Sequence, residues 1–286
     1  MANETTTSAI QGLIDDIQAE VIYQLNSEAG ILDVVRWIDT EGQPGTTLDF
    51  PKFGQVTSAD VATATEAVDV TTNKQVTNTP VSATIEEHVV KTVVTDLAML
   101  GSRNDLVDQI SLLFKNAIMA KLEDSIVSLF SGFSTTVGGA GVAMTLQHWY
   151  DAFQTIKANG GNIKNLAAVI SPKQFWGSKG LHQLVSTPAT SNNVLSEELL
   201  AKGFINNPFG IKLLISNEID ENVAAGGDAA GGIFDMNALG VHSKGIFNLA
   251  AERDESLRGF ELVAVGRWKA VELVDEWGVY FLTDVS

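Results

Sequence analysis

Residues 104–131 read NDLVDQISLLFKNAIMAKLEDSIVSLFS, and neither proline nor glycine interrupts them before Gly132. As a helix this stretch would hold roughly 28 residues and run about 42 Å, more than twice the usual globular length. Ser102-Arg103-Asn104-Asp105 fits the S-x-x-[DE] capping pattern, and Gly132 is a natural stop. At about 100° per residue, the apolar side chains of the first half (Leu106, Val107, Ile110, Leu113, Phe114, Ala117) cluster on one side. Those of the second half (Met119, Leu122, Ile126, Leu129, Phe130) lie on a face rotated by well over ~90°. A heptad seam would drift only about 20° per repeat, so this is no coiled coil. Lys115, Lys121, Glu123 and Asp124 exclude a membrane span. The two halves should pack on different partners, as the ends of a spine would.

The pattern changes on either side. Residues 8–28 carry a weaker helical period, with a stripe of Ile10, Leu13, Ile14, Ile17, Val21 and Ile22 that must cover something. From 63 to 95, eighteen of thirty-three residues are Val, Thr or Ile, a long-strand composition. A hairpin over 46–81 has few bulky apolar residues for a core of its own, and an isolated ribbon is marginal in water. It is expected to project and find support on another subunit. Residues 81–97 continue as strand into the spine. VGGAGV (137–142) reads as a glycine-rich turn, TLQHWYDAFQTIKANGG as an amphipathic helix and LAAVISP as a buried strand. PKQFWGSKG and SEELLAKG read as helix-like pieces, and GIKLLISNEI, GGIFDMNALGVHS and KGIFNLAAER as strands. VAAGGDAAGG (223–232) reads as a loop, and the alternating end as two or three further strands.

With 286 residues, 45% of them hydrophobic, a sizeable core is available, and the absence of cysteine rules out disulfides and thiolate metal sites. The net charge of −17 and the scattering of the 18 basic residues disfavour sequence-specific nucleic-acid binding. Residues 1–51 hold nine acids and only Arg36. The opening MANETTTSAIQG offers neither a basic nor an apolar leader, which disfavours Sec-type secretion.

No catalytic constellation emerges. The glycine-rich pieces lack the G-K-[ST] ending of a phosphate loop, and neither G-x-S-x-G nor H-E-x-x-H occurs. His88, His148, His182 and His242 are far apart, and the acidic pairs Asp15-Asp16, Glu86-Glu87, Glu123-Asp124 and Glu197-Glu198 read as solvated charge. Trp149, Phe153 and Ile156 share a helical face, and with Trp268 and Trp277 read as packing residues. Neither a cofactor nor a catalytic residue is expected.

TTLDFPKFG, VTNTPVSATIEEHVVKTVVTDLAML, the spine SRNDLVDQISLLFKNAIMAKLEDSIVSLF, NPFGIKLLISNEI and RGFELVAVGRWKAVELVDEWGVYFL follow one another in an order that resembles the major capsid proteins of tailed bacteriophages, whose shell fold is shared with encapsulins. The resemblance implies an α+β fold with an N-terminal arm (1–38), an extended β-hairpin loop with the strand leading from it (39–100), and the spine helix of a peripheral domain (101–136). An axial α/β domain (137–250) and returning C-terminal strands shared by both domains (251–286) complete it. It also implies self-assembly into hexamers, pentamers and an icosahedral virion shell in the host cytoplasm, enclosing double-stranded DNA without specific binding. Scaffolding, portal and decoration proteins are the implied partners, with a separate scaffolding protein or none because the arm begins almost at Met1. Phe50, Lys52, Phe53 and Lys74 in the loop, and Ile14 and Ile17 in the arm, are the candidate inter-subunit contacts. Lys52 and Lys74 read as ordinary surface lysines rather than cross-linking ones. An encapsulin-type cargo shell, an acidic hydrolase or sugar-binding domain, and a bacterial surface protein are the competing readings.

Overall fold

The computed structural model describes residues 30–54, 56–67, 69–70, 74–96, 106–181, 208–223, 226–256 and 258–286. The amphipathic arm with Ile14 and Ile17, the capping residues before the spine and the SEELLAKG segment lie outside the described residues. The spine is α1 (Leu106–Val127), which tightens into a 3-10 turn over Ser128–Gly132. Serine hydroxyls accompany the tightening. Ser125 Oγ donates to Lys121 O at 2.7 Å, and Ser128 Oγ to Ser125 O at 3.0 Å, an alternative use of backbone carbonyls that bends helix ends.

Phe114, Ile118, Leu122, Ile126 and Phe130 are all buried. Each step of four residues carries the chain about 40° beyond a full turn, so the buried stripe winds around the helix as the sequence pattern predicts. One expected core residue falls outside it. Leu113 is 64% exposed, with Leu112 beside it, because the inward row takes Phe114 and leaves its neighbour on the outer side.

The first sheet is built on β11 (Gly259–Glu272), whose long alternation puts Leu262, Ala264, Trp268 and Ala270 toward the spine. Strand β4 (Glu86–Thr95) runs antiparallel along one edge of β11. On the other edge lie β10 (Asn248–Asp254) and then β9 (Leu239–Ser243), with β1 (Arg36–Asp39) parallel to β9. The second sheet runs β5 (Thr136–Ala143), β12 (Gly278–Asp284), β8 (Asp228–Asp235), β6 (Leu166–Ile170) and β7 (Lys212–Ile215). It has apolar cover on both faces, which explains why β6 and β8 are buried throughout. Trp149, Ala152 and Ile156 of α2 (Leu146–Ala158) pack on Ala168, Ile233 and Phe281. The opposite face, through Ala167, Val169 and Phe234, joins the spine core.

Two glycine-rich segments differ from expectation. VGGAGV forms most of β5, and DAAGG opens β8. Gly138 has a φ of +88°, and a Cβ there would stand 2.0 Å from the carbonyl oxygen of Leu282, so the glycine permits a close pairing rather than a loose turn. In β8, an added Cβ on Gly232 would lie 2.8 Å from the Phe130 ring, and one on Gly278 of β12 would lie 2.1 Å from Phe133. Phe130, Phe133 and Phe234 meet at centroid distances of 5.4 to 6.4 Å. The end of the spine is thus locked to the second sheet by rings seated on glycines.

Removing the Phe130 ring should cost about 3–5 kcal/mol, the usual range for emptying a phenylalanine site, and Gly232→Ala about 1–3 kcal/mol through overpacking. Denaturant unfolding of Phe130→Ala and Gly232→Ala checks both, and a change below about 0.5 kcal/mol in either would contradict this packing.

Candidate functional site

The segment between residues 47 and 84 leaves the body as a loop with a firm root and an open tip. Strands β2 (Thr47–Phe50) and β3 (Val81–Thr84) pair antiparallel, with Leu48 opposite Ala83 and Phe50 opposite Val81. Phe50, Ala83 and Leu273 are buried together, with Ile38, Leu48, Val81, Val271 and Val274 against them. This small core seats the ribbon on the outer face of the first sheet. His242 of β9 adds a polar tie, with its Nδ1 3.0 Å from Ala83 O and its Nε2 2.8 Å from Thr40 Oγ1. Beyond the root the pairing thins to the Phe53 to Asn78 bridge and the bond from Gly54 N to Thr77 O at 2.8 Å.

Past that point the loop carries apolar residues without cover. Phe53 is 64% exposed, and Val56, Val61, Val70 and Val76 are also exposed. The tip has a local clasp instead of a core. Asp60 accepts from Thr57 N and Thr57 Oγ1, both at 2.9 Å, and from Lys74 Nζ at 2.9 Å. The Lys74 bond, with those from Thr57, holds the Asp60 carboxyl below its ordinary value.

The candidate contacts divide accordingly. Phe50 is an internal anchor, Phe53 faces solvent, Lys74 closes the tip clasp, and Lys52 Nζ stands 3.9 Å from Glu276 Oε2. Beneath the loop a groove of about 940 Å³ runs between Arg36, Phe50 and Lys52 on one side and Asn159, Glu276 and Trp277 on the other. Sequence reasoning missed the groove, which depends on a root ribbon folding back over β9, and read His242 as a hydrogen-bonded structural residue, which its bonds to Ala83 O and Thr40 Oγ1 make it. Next in the chain to groove-lining Leu273, Glu272 is held above its ordinary carboxyl value by burial, then by Asp275, while Lys52 pulls it down.

The rest of the outer face is open. Along it Glu87 pairs with Arg267 and Lys91 with Glu261, and between these ions Val89 and Val93 are exposed, while Glu86 at the strand's start pairs with Lys269. The other histidines have structural positions where described. His88 stacks on Trp268 at 4.2 Å, and His148 joins the cap of α2 with Thr145. Among the described residues no group of three side chains could hold a metal, and no helix is long and apolar enough to cross a membrane.

Residues 78–280 match the family model described as phage capsid protein, which covers well over half of the chain. The chain belongs to the phage capsid protein family. It has the α+β fold of phage major capsid proteins and is a structural capsid protein. Among similar solved structures is the capsid of the cyanophage P-SCSP1u, at 14% identity and a TM-score of 0.65 over 88% of this chain and 87% of that one. A Mycobacterium phage Che8 structure aligns at 18% identity and 0.63 over 83% and 85% of the two chains. A virus-like particle from Pyrococcus furiosus aligns at 12% identity and 0.61 over 94% and 99%. These identities carry the fold alone. No curated protein sequence matches the chain.

A carboxyl whose folded value is raised destabilises the fold while it is charged. That cost is fully present above the folded value and is relieved as pH falls through it toward the ordinary value of 4.5. Glu272→Gln should therefore be more stable than the wild type near pH 7, with the difference closing toward about pH 4. Unfolding midpoints of the two chains across that range measure it, and a gap that widens on acidification would contradict the assigned cause.

Proposed function

We propose that many copies of this chain assemble as hexamers and pentamers into an icosahedral virion shell. The carrying observation is the loop: its root is packed on its own chain, while Phe53, Val56, Val61, Val70 and Val76 beyond the root are exposed. Five large apolar residues on a two-stranded projection are unfavourable in water unless a neighbouring subunit covers them. Lys52, Phe53 and Lys74 are then the loop residues closest to such a neighbour, with Phe50 supporting them from the root. The arm with Ile14 and Ile17 is proposed as a second contact, because its apolar stripe needs cover.

The division into arm (1–38), loop (39–100), spine (101–136), axial body (137–250) and shared returning strands (251–286) is part of the same proposal. The acidic chain suits loose enclosure of double-stranded DNA, since like charges repel across a wall that grips nothing. Assembly in the host cytoplasm and service by scaffolding, portal and decoration proteins belong to this reading, as does the absence of catalysis.

The untagged chain should give hollow particles or rings in negative-stain electron microscopy and fast-sedimenting species in velocity runs. A monomer or dimer over a wide range of concentration and salt would refute the proposal. Because Gly54 N and Thr77 O are 2.8 Å apart, residues 55–76 can be replaced by a short Gly-Ser turn without stretching the root. That variant should keep its unfolding free energy within about 1 kcal/mol of the wild type and lose particle formation. Particles of normal yield from the shortened chain would remove the loop from the assembly contact.

A further inference from the structure

Strand β4 gives one edge to β11, and among the described residues no strand occupies its other edge. Because Asp96 N donates to Arg258 O, the even residues of β4 bond β11, and Glu87, Val89, Lys91 and Val93 turn their backbone groups to the other edge, an invitation to strand addition. On the outer face this strand presents Glu87, Val89 and Lys91 in succession, and Val89 is 57% exposed. That order is complementary to itself when reversed.

We infer that two copies of the chain pair β4 against β4, antiparallel, across a two-fold axis through Val89. A two-fold axis that keeps both spine helices on one side of the joined sheet must pass through a residue, because directly opposed side chains share a face. Centring on Val89 sets Glu87 opposite the second copy's Lys91 twice, and Val89 against itself. Centring on Glu87 or Lys91 would oppose like charges, and centring on His88 or Val90 would oppose no opposite charges. Within each copy Glu87 already pairs with Arg267, and Lys91 with Glu261. The joined sheet would therefore carry cationic and anionic groups in alternation across the seam, with the valines of both copies between them. The pairing rests on the shell reading, in which contacts between neighbouring subunits are repeated around symmetry axes.

The chain contains no cysteine, so single-cysteine variants report one contact each. Directly opposed residues in antiparallel strands have Cα atoms about 4.5–5.5 Å apart, inside the disulfide range of about 4.4–6.8 Å. Mild oxidation of Val89→Cys in assembled material should convert most of the chain to a disulfide dimer on non-reducing electrophoresis. Val93→Cys, which would face Ile85 of the other copy, should remain monomeric. Adding Glu87→Lys to Val89→Cys should lower the dimer yield several-fold, and adding Lys91→Glu as well should restore it. Intact particles in which Val89→Cys stays monomeric, or in which Val93→Cys dimerises equally, would overturn the pairing and leave the shell reading standing. Dimers without particles would support the pairing and overturn the shell; neither dimers nor particles would overturn both.

Discussion

Phenylalanine rings lying on glycines hold the spine to the second sheet, and the remaining architecture depends on that contact. Phe130 lies over Gly232 and Phe133 over Gly278 so closely that a methyl group on either glycine would collide with the ring. A helix that winds its buried stripe around itself needs a partner at each end. β11 accompanies it to its last turns, where Trp268 Nε1 is 3.3 Å from Ser125 Oγ, and β8 and β12 receive the 3-10 turn that ends it. Because β11 and β12 follow one another in the chain, the same C-terminal segment supplies a central strand to both sheets. The spine core and the returning segment therefore brace one another, and the loop root inherits its rigidity from β11 and β9.

That rigidity matters because the loop carries so little of its own. A ribbon of four paired residues on each side, with Phe50 and Ala83 as its buried anchors, would not persist in water alone. Leu273, just past the end of β11, completes its core, so the orientation of the projection is set where the sheet ends. His242 then adds a second donor to the Ala83 carbonyl of β3 from the sheet beneath, tying the ribbon to β9. An exposed tip on a fixed root can reach a neighbour without paying again for orientation.

The long periodic elements were legible in the sequence because their patterns are local. The rotating stripe of the spine, the alternation of β11 and the apolar face of α2 all follow from side-chain geometry within one element. The glycine-rich strands were not legible, since glycine reads as freedom unless the ring or carbonyl that presses on it is known, and Phe130 lies about a hundred positions from Gly232. Leu113 was misplaced for a related reason: periodicity gives a face, but only the partner decides how wide the buried stripe is. Lys52, Phe53 and Lys74 were named as contacts through the resemblance to capsid proteins, and composition contributed only that the ribbon lacks a core of its own. Phe50 among them turned inward because Leu273 and Ala83 were there to receive it.

Electrostatics narrows where copies of such a chain can meet. Each carries a net charge of −17, and at physiological salt the repulsion between exposed charges is screened beyond about 8 Å, so the penalty falls on surfaces in contact. The open face of the first sheet meets that constraint. Its Glu87 and Glu261 pair with Arg267 and Lys91, Glu252 stands opposite Glu261 on the same face, and the exposed Val89 and Val93 lie among these charges. Such a face can approach a second copy with little Coulomb cost and still bury apolar area. The unbalanced acids concentrate elsewhere, with five in residues 1–29 and no lysine or arginine among them. On the proposed pairing, net charge would keep free subunits apart in solution while the paired charges around Val89 leave a surface where two copies can join.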